Sequence, residues 1–208
     1  GSIPTTAATA DVTITGEAVN NYFSGRMTSG DFNSDGRTDL AVGAYGYSSN
    51  NGRAYIFYND GSIPTTAATA DVTITGSGGE NLGYPLVSAD MNADGRQDLV
   101  VGAWDASSLS DHVYVYYNDG AYPSSASGYD VVSTGESATD EYGSDIAVAD
   151  FNADSINDLA VGAYEHPSGT LVGRVYIILS EAKTLQGNPP ADMQTRGTVQ
   201  FRGTTSVR

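Results

Sequence analysis

The sequence predicts an all-β fold of about three four-stranded β-propeller blades, arranged as an incomplete ring. Three observations carry that expectation. Residues 31–39 read DFNSDGRTD and run directly into LAVGA, and this cassette returns at 90–98 and 150–158, with leading aspartates 59 and then 60 residues apart. A fixed period of that size marks a repeat architecture. The 16 residues at positions 1–16 recur unchanged at 61–76, with a looser version at 120–135. Within each repeat four strand-like runs are separated by turn residues. The chain therefore reads as one segment, 1–208, with repeats at approximately 1–60, 61–119 and 120–180 and a partial fourth at 181–208.

The elements of the first repeat follow in order. Residues 26–32 lead into the acidic loop. Residues 39–45 carry the run Leu40, Ala41, Val42, which is consistent with a buried strand. Residues 53–58 are rich in aromatic and β-branched side chains, and residues 71–75 alternate with period two, as a half-exposed strand does. Asn51-Gly52 and Asn59-Asp60-Gly61 are turn signals. Helix is expected only as a short turn over 180–186, limited by Pro189 and Pro190. Identity over 16 residues points to a recent duplication or to engineering, and the sequence does not separate the two.

Composition narrows the function classes. A net charge of −16 opposes nucleic-acid binding, which needs clustered Lys and Arg to neutralise phosphates. Nine of the 25 acidic residues are the first, fifth and ninth residues of the three cassettes. The absence of cysteine removes disulfides, thiolate zinc sites and cysteine nucleophiles. No apolar run reaches membrane-spanning length, so membrane insertion is not expected.

The cassettes place oxygen ligands at alternate positions, the way a short loop wraps a hard cation. In the first, Asp31, Asn33, Asp35 and Asp39 occupy positions 1, 3, 5 and 9, Arg37 offers its carbonyl at 7, and Gly36 permits a sharp turn. The second repeats this with Asp90, Asn92, Asp94, Arg96 and Asp98. The third has Asp150, Asn152, Asp154, Ile156 and Asp158, but Ser155 replaces the glycine, which predicts the weakest of three sites. An all-oxygen set points to Ca²⁺ over zinc or copper. Position 12 is valine each time and a strand follows, so an EF-hand does not fit. The alternative is a set of Asp/Asn-Gly turns capping their own backbone without metal.

In these motifs the chain resembles the FG-GAP repeats of integrin α-chain heads and related secreted bacterial proteins. The FG part reads Leu82-Gly83 and Tyr142-Gly143, with Phe23-Ser24-Gly25 in the first copy. The GAP part reads Gly43-Ala44-Tyr45, Gly102-Ala103-Trp104 and Gly162-Ala163-Tyr164, an aromatic replacing proline each time. The resemblance implies calcium loops between blade strands, and an offset by which each unit's last strand closes the preceding blade. Residues 11–15 would then be an orphan outer strand, a fourth outer strand would start after Met193, and residues 198–208 would open another inner strand. It also implies that the loops bearing Tyr45, Tyr47, Trp104 and Tyr164 lie opposite the calcium loops and contribute to binding a protein or carbohydrate ligand. The competing reading has those rings filling space between blades.

Catalytic motifs are absent: there is no G-x-S-x-G, Walker loop or H-E-x-x-H, and His112 and His166 occupy non-equivalent places. The expectation is a non-catalytic, calcium-binding module of the cell surface or extracellular space, serving adhesion or assembly. It would associate with itself or with a chain completing the propeller. A surface-filament subunit, or the non-catalytic propeller of a secreted carbohydrate-active enzyme, are the rival readings.

Overall fold

Three antiparallel sheets follow one another along the chain. The computed structural model describes residues 3, 6–104, 111–167, 169 and 171–180. The first sheet has the order β1 (Met27–Gly30), β2 (Asp39–Gly43), β3 (Arg53–Phe57), β4 (Val72–Thr75). The second repeats it with β5 (Leu86–Ala89), β6 (Asp98–Ala103), β7 (His112–Tyr116) and β8 (Val131–Thr134). The third contains β9 (Tyr142–Ala149), β10 (Asp158–Ala163) and β11 (Arg174–Ile178). The four strand runs read from the first repeat thus agree with β1–β4 to within two residues. The expected fourth strand of the third sheet, the inner strand at 198–208 and residues 181–186 of the expected helical turn lie outside the described residues.

Neighbouring sheets stack face to face, with β1 against β5 and β5 against β9. One core lies between the first two sheets, where Phe32, Ala54 and Ile56 meet Leu86, Val101, Tyr114 and Tyr116. A second lies between the next two, built on Val100, Val113 and Val115 against Tyr142, Ile146 and Val161. A third, of Val42, Tyr55, Phe57 and Ala67 with Phe23 and Ile14, covers the outer face of the first sheet. Each buried tyrosine of the third strands has a polar outlet for its hydroxyl. Tyr55 donates to Glu17 at 3.0 Å and Tyr114 to Glu80 at 2.8 Å.

The FG and GA glycines meet across these interfaces. A side chain on Gly43 would strike the backbone of Gly83 in the next sheet, and one on Gly102 would strike the carbonyl of Gly143. The motif is a contact between consecutive blades, and glycine is there because two backbones approach without room for a Cβ. Gly162, in the third sheet, has ordinary room, its nearest neighbour 3.6 Å from a built Cβ.

The expected orphan strand at residues 11–15 forms no strand. Thr15 makes one parallel bridge to Thr66, donating to the Thr65 carbonyl at 3.0 Å and accepting from Ala67 at 2.8 Å. Its counterpart Thr75 bridges Ser125 in the same way, while also ending β4 beside β3. Residues 11–15 thus take the outer-strand place with no third strand beside them among the described residues.

Candidate functional site

Each cassette bridges the first and second strands of its sheet. The carboxylate of position 1 turns back on the loop: Asp31 accepts from the amides of Asp35 at 3.0 Å and Gly36 at 2.8 Å. Asn33 accepts from Asp35 at 3.0 Å, and Asp35 accepts from Arg37 at 2.8 Å. Asp90, Asn92 and Asp94 repeat this pattern against Asp94, Gly95 and Arg96. Asp150, Asn152 and Asp154 repeat it against Asp154, Ser155 and Ile156. These amides, that of Ser155 foremost, hold the Asp150 carboxyl below the usual carboxylate range.

Position 9 has a structural function that the sequence did not reveal. Asp39, Asp98 and Asp158 are buried, and each carboxylate joins two distant stretches of backbone. Asp39 accepts from Phe32 at 2.9 Å and Asn59 at 2.7 Å; Asp98 accepts from Met91 and Asn118, both at 2.8 Å; Asp158 accepts from Phe151 at 2.8 Å and Ser180 at 2.7 Å. Burial raises the Asp98 pKa, the two amides oppose that rise, and the nearby Asp94 and Asp90 add to it. The turn residues behave as their spacing predicts. Gly36 and Gly95 have φ of 83° and 85°, and Ser155 adopts φ 71° at the same place. Ser34, Ala93 and Ala153, at position 4, are also left-handed, at 60°, 59° and 63°.

The donor types fit a hard cation, with carboxylate, amide and carbonyl oxygens and no ligating nitrogen or sulfur. The side chains as placed are satisfied by the loops' own N–H groups. Among the described residues no three acidic or histidine side chains converge closely enough to hold a metal ion.

The aromatic residues that follow each second strand lie at the opposite end of the sheets, because β2 runs antiparallel to β1 and away from the cassette. Tyr45 is part of a continuous ladder. It stacks on Tyr22 with centroids 4.8 Å apart and meets Tyr84 edge-on at 5.4 Å, and Tyr84 meets Trp104 at 6.0 Å. The Arg26 guanidinium lies 3.9 Å from the Tyr84 ring centre and bonds its hydroxyl. Tyr22, Tyr84 and Arg26 were not singled out by sequence, although Tyr84 directly follows the Leu82-Gly83 motif. Tyr164 is half-exposed, and its phenol, bonded to Glu141, is pushed above its ordinary pKa. Tyr47 stands apart, with Arg53 stacked 3.6 Å over its ring and its body against the outer core.

His166 is buried. Its Nδ1 bonds the buried Asp140 carboxylate, and its Nε2 lies 3.9 Å from Glu136. His112 bonds Thr134 at 3.1 Å across the β7–β8 pair, and burial lowers its pKa. Both histidines tie adjoining backbone segments together.

Residues 23–57 match the FG-GAP repeat model and residues 90–161 match an FG-GAP-like repeat model, together just over half of the chain. Integrin alpha-PS5 of Drosophila melanogaster is 33% identical over 81% of the chain and 16% of its own length. Phosphatidylinositol-glycan-specific phospholipase D of Bos taurus is 35% identical over 69% of the chain and 19% of its own length. Integrin alpha-4 of Xenopus laevis is 26% identical over 80% of the chain and 17% of its own length. The chain thus spans about a fifth of these curated relatives. The repeated cassettes, the glycine contacts between sheets and both family matches agree: the chain belongs to the FG-GAP repeat family, with integrin-like repeats.

Proposed function

We propose that the chain is a calcium-stabilised, non-catalytic propeller module of the extracellular space or cell surface, which binds a protein or carbohydrate ligand. The observation that carries the reading is the atom-for-atom recurrence of the loop hydrogen bonds in three cassettes built from the same oxygen donors. Asp31, Asn33, Asp35, the Arg37 carbonyl and Asp39 would hold Ca²⁺ in the first, and the corresponding residues in the others. Binding would require Asn33, Asn92 and Asn152 to present Oδ1 in place of the Nδ2 that now faces the next aspartate, at 3.3 Å in the first cassette. The ion would serve structure: it cancels repulsion among acids crowded into a nine-residue loop and fixes the join between two strands.

The opposite face supports ligand binding. Tyr22, Tyr45, Tyr84 and Trp104 offer connected aromatic surface, the kind that stacks on sugar rings or anchors a protein partner. That relatives include proteins named as integrins favours adhesion. Relatives named as phospholipases D support a second reading, a non-catalytic module attached to an enzyme. No helix among the described residues is long and apolar enough to cross a membrane.

Thermal melting tests the calcium reading. A chelator-treated sample should melt at a higher temperature when millimolar calcium is restored, because an ion that binds only the folded loops stabilises it by mass action. Asp35→Ala and Asp94→Ala should each reduce that gain. An unchanged melting temperature in every case would show that calcium does not stabilise the fold.

A further inference from the structure

The three cassettes are joined to one another by a chain of hydrogen bonds that runs from sheet to sheet. The Asn118 side chain, at the end of the second sheet's third strand, donates to the Asp31 carbonyl at 3.2 Å and to the Ser34 hydroxyl at 3.3 Å. Those acceptors are positions 1 and 4 of the first cassette. The Asn118 N–H in turn donates to Asp98, and its carbonyl accepts from the Arg96 guanidinium at 3.0 Å, so the second cassette holds it from two sides. Asp98 also takes the Met91 amide, next to Asp90. The Asp90 carbonyl then accepts from the Asn157 side chain at 2.8 Å, and Asn157 is position 8 of the third cassette.

The two links use different residues for one purpose. In the third sheet the place of Asn118 is taken by Ser180, which keeps the backbone bond to Asp158 but lacks an amide side chain. Asn157 supplies the missing donor from inside the cassette. Both donors reach the same atom of the preceding loop, the carbonyl of its first residue, and the side chain of that residue is an expected cation ligand. Asn157 stands between Ile156 and Asp158, the expected ligands at positions 7 and 9. A cation that fixes those two residues also fixes the donor between them.

We propose that Asn118 and Asn157 are positioning residues that couple neighbouring cassettes, so that a cation held in one loop tightens binding in the loop before it. This rests on the calcium reading above; because coupling between binding sites is reciprocal, the third and second cassettes strengthen each other, as do the second and the first. Losing one neutral hydrogen bond of this kind changes an equilibrium by about threefold to tenfold.

The test is a calcium titration by calorimetry on four forms of the full 208-residue chain, all carrying Asp35→Ala to silence the first site. One form has no further change, one adds Asp154→Ala to silence the third site, one adds Asn157→Ala, and one adds both. With Asn157 present, Asp154→Ala should weaken the second site about threefold to tenfold. With Asn157→Ala the second site should already be weak, and Asp154→Ala should weaken it no further. A purely structural role for Asn157 would not produce that loss of dependence. Amide exchange at Asp94 and Gly95 gives a second reading, with the Asn157→Ala form exchanging faster in calcium. Equal second-site affinity in all four forms would overturn the coupling while leaving the calcium sites intact; no calcium heat in any form would sink both.

Discussion

Ser155 holds φ 71° where the other two cassettes have glycine, so the third loop keeps the shared geometry at the expense of a backbone conformation that L residues resist. Ser155→Gly should therefore tighten the proposed third calcium site about threefold to fivefold and leave the other two proposed sites alone, a difference calorimetry resolves. An unchanged third site would show that the strain is relieved elsewhere. The glycines between sheets make an opposite test. Gly43→Ala would drive a methyl into the backbone carbonyl of Gly83 and should cost about 1–3 kcal/mol in a denaturant melt. Gly162→Ala, whose methyl would meet Asp145 at ordinary contact distance, should change stability by less than about 0.5 kcal/mol. Equal costs at the two positions would refute the reading of the GA motif as an interface between blades.

At the scale of elements, residues 1–16 and 61–76 share one sequence and part of one structure. Both copies form a short 3₁₀ turn, Ala7–Thr9 and Ala67–Thr69, opened by a threonine hydroxyl that accepts the second amide after it. Only the second copy forms a strand, at Val72–Thr75, because β3 lies beside it. The turn is local chemistry, although the sequence predicts helix only over 180–186; the strand is a pairing and needs a neighbour. The same division explains the candidate site. The cassette oxygens and Gly36 were legible because spacing within nine residues fixes them. The two-amide grip of Asp98, the reach of Asn118 across 87 residues to Asp31, and the place of Tyr84 in the aromatic ladder depend on how sheets stack, which no local pattern encodes. The buried His166–Asp140 bond was missed for the same reason. Asp98→Ala should strand the Met91 and Asn118 amides and cost about 2–5 kcal/mol by denaturant melting. A cost under about 1 kcal/mol would show that the position 9 carboxylate does not hold the strands together.

The described residues form a row of three sheets, and among them nothing covers the outer face of the third. Val175 and Ile177 on β11 are 66% and 50% exposed, whereas their counterparts Val113 and Val115 are 0% and 3% exposed beneath the next sheet. The 208-residue chain should therefore associate through this face at micromolar concentration; a cooperative monomer of 21.6 kDa in light scattering would contradict that expectation. Alkaline pH probes the cores between sheets. Burial pushes Tyr142 up to about 12 and raises Tyr114, Tyr116 and Tyr122 further, so the fold favours the neutral phenols. That contribution is intact below the ordinary tyrosine pKa of about 10 and is lost as pH rises towards the folded values. Absorbance should thus show some of the 14 tyrosines ionising only as circular dichroism reports unfolding; all ionising together near pH 10 in an intact fold would contradict it. The stoichiometry of calcium bound at equilibrium decides whether the three repeated cassettes are three calcium loops. Three ions should bind per chain, two held tightly and the third more weakly at the loop containing Ser155; a folded chain that binds none in millimolar calcium would show that the cassettes are not calcium loops.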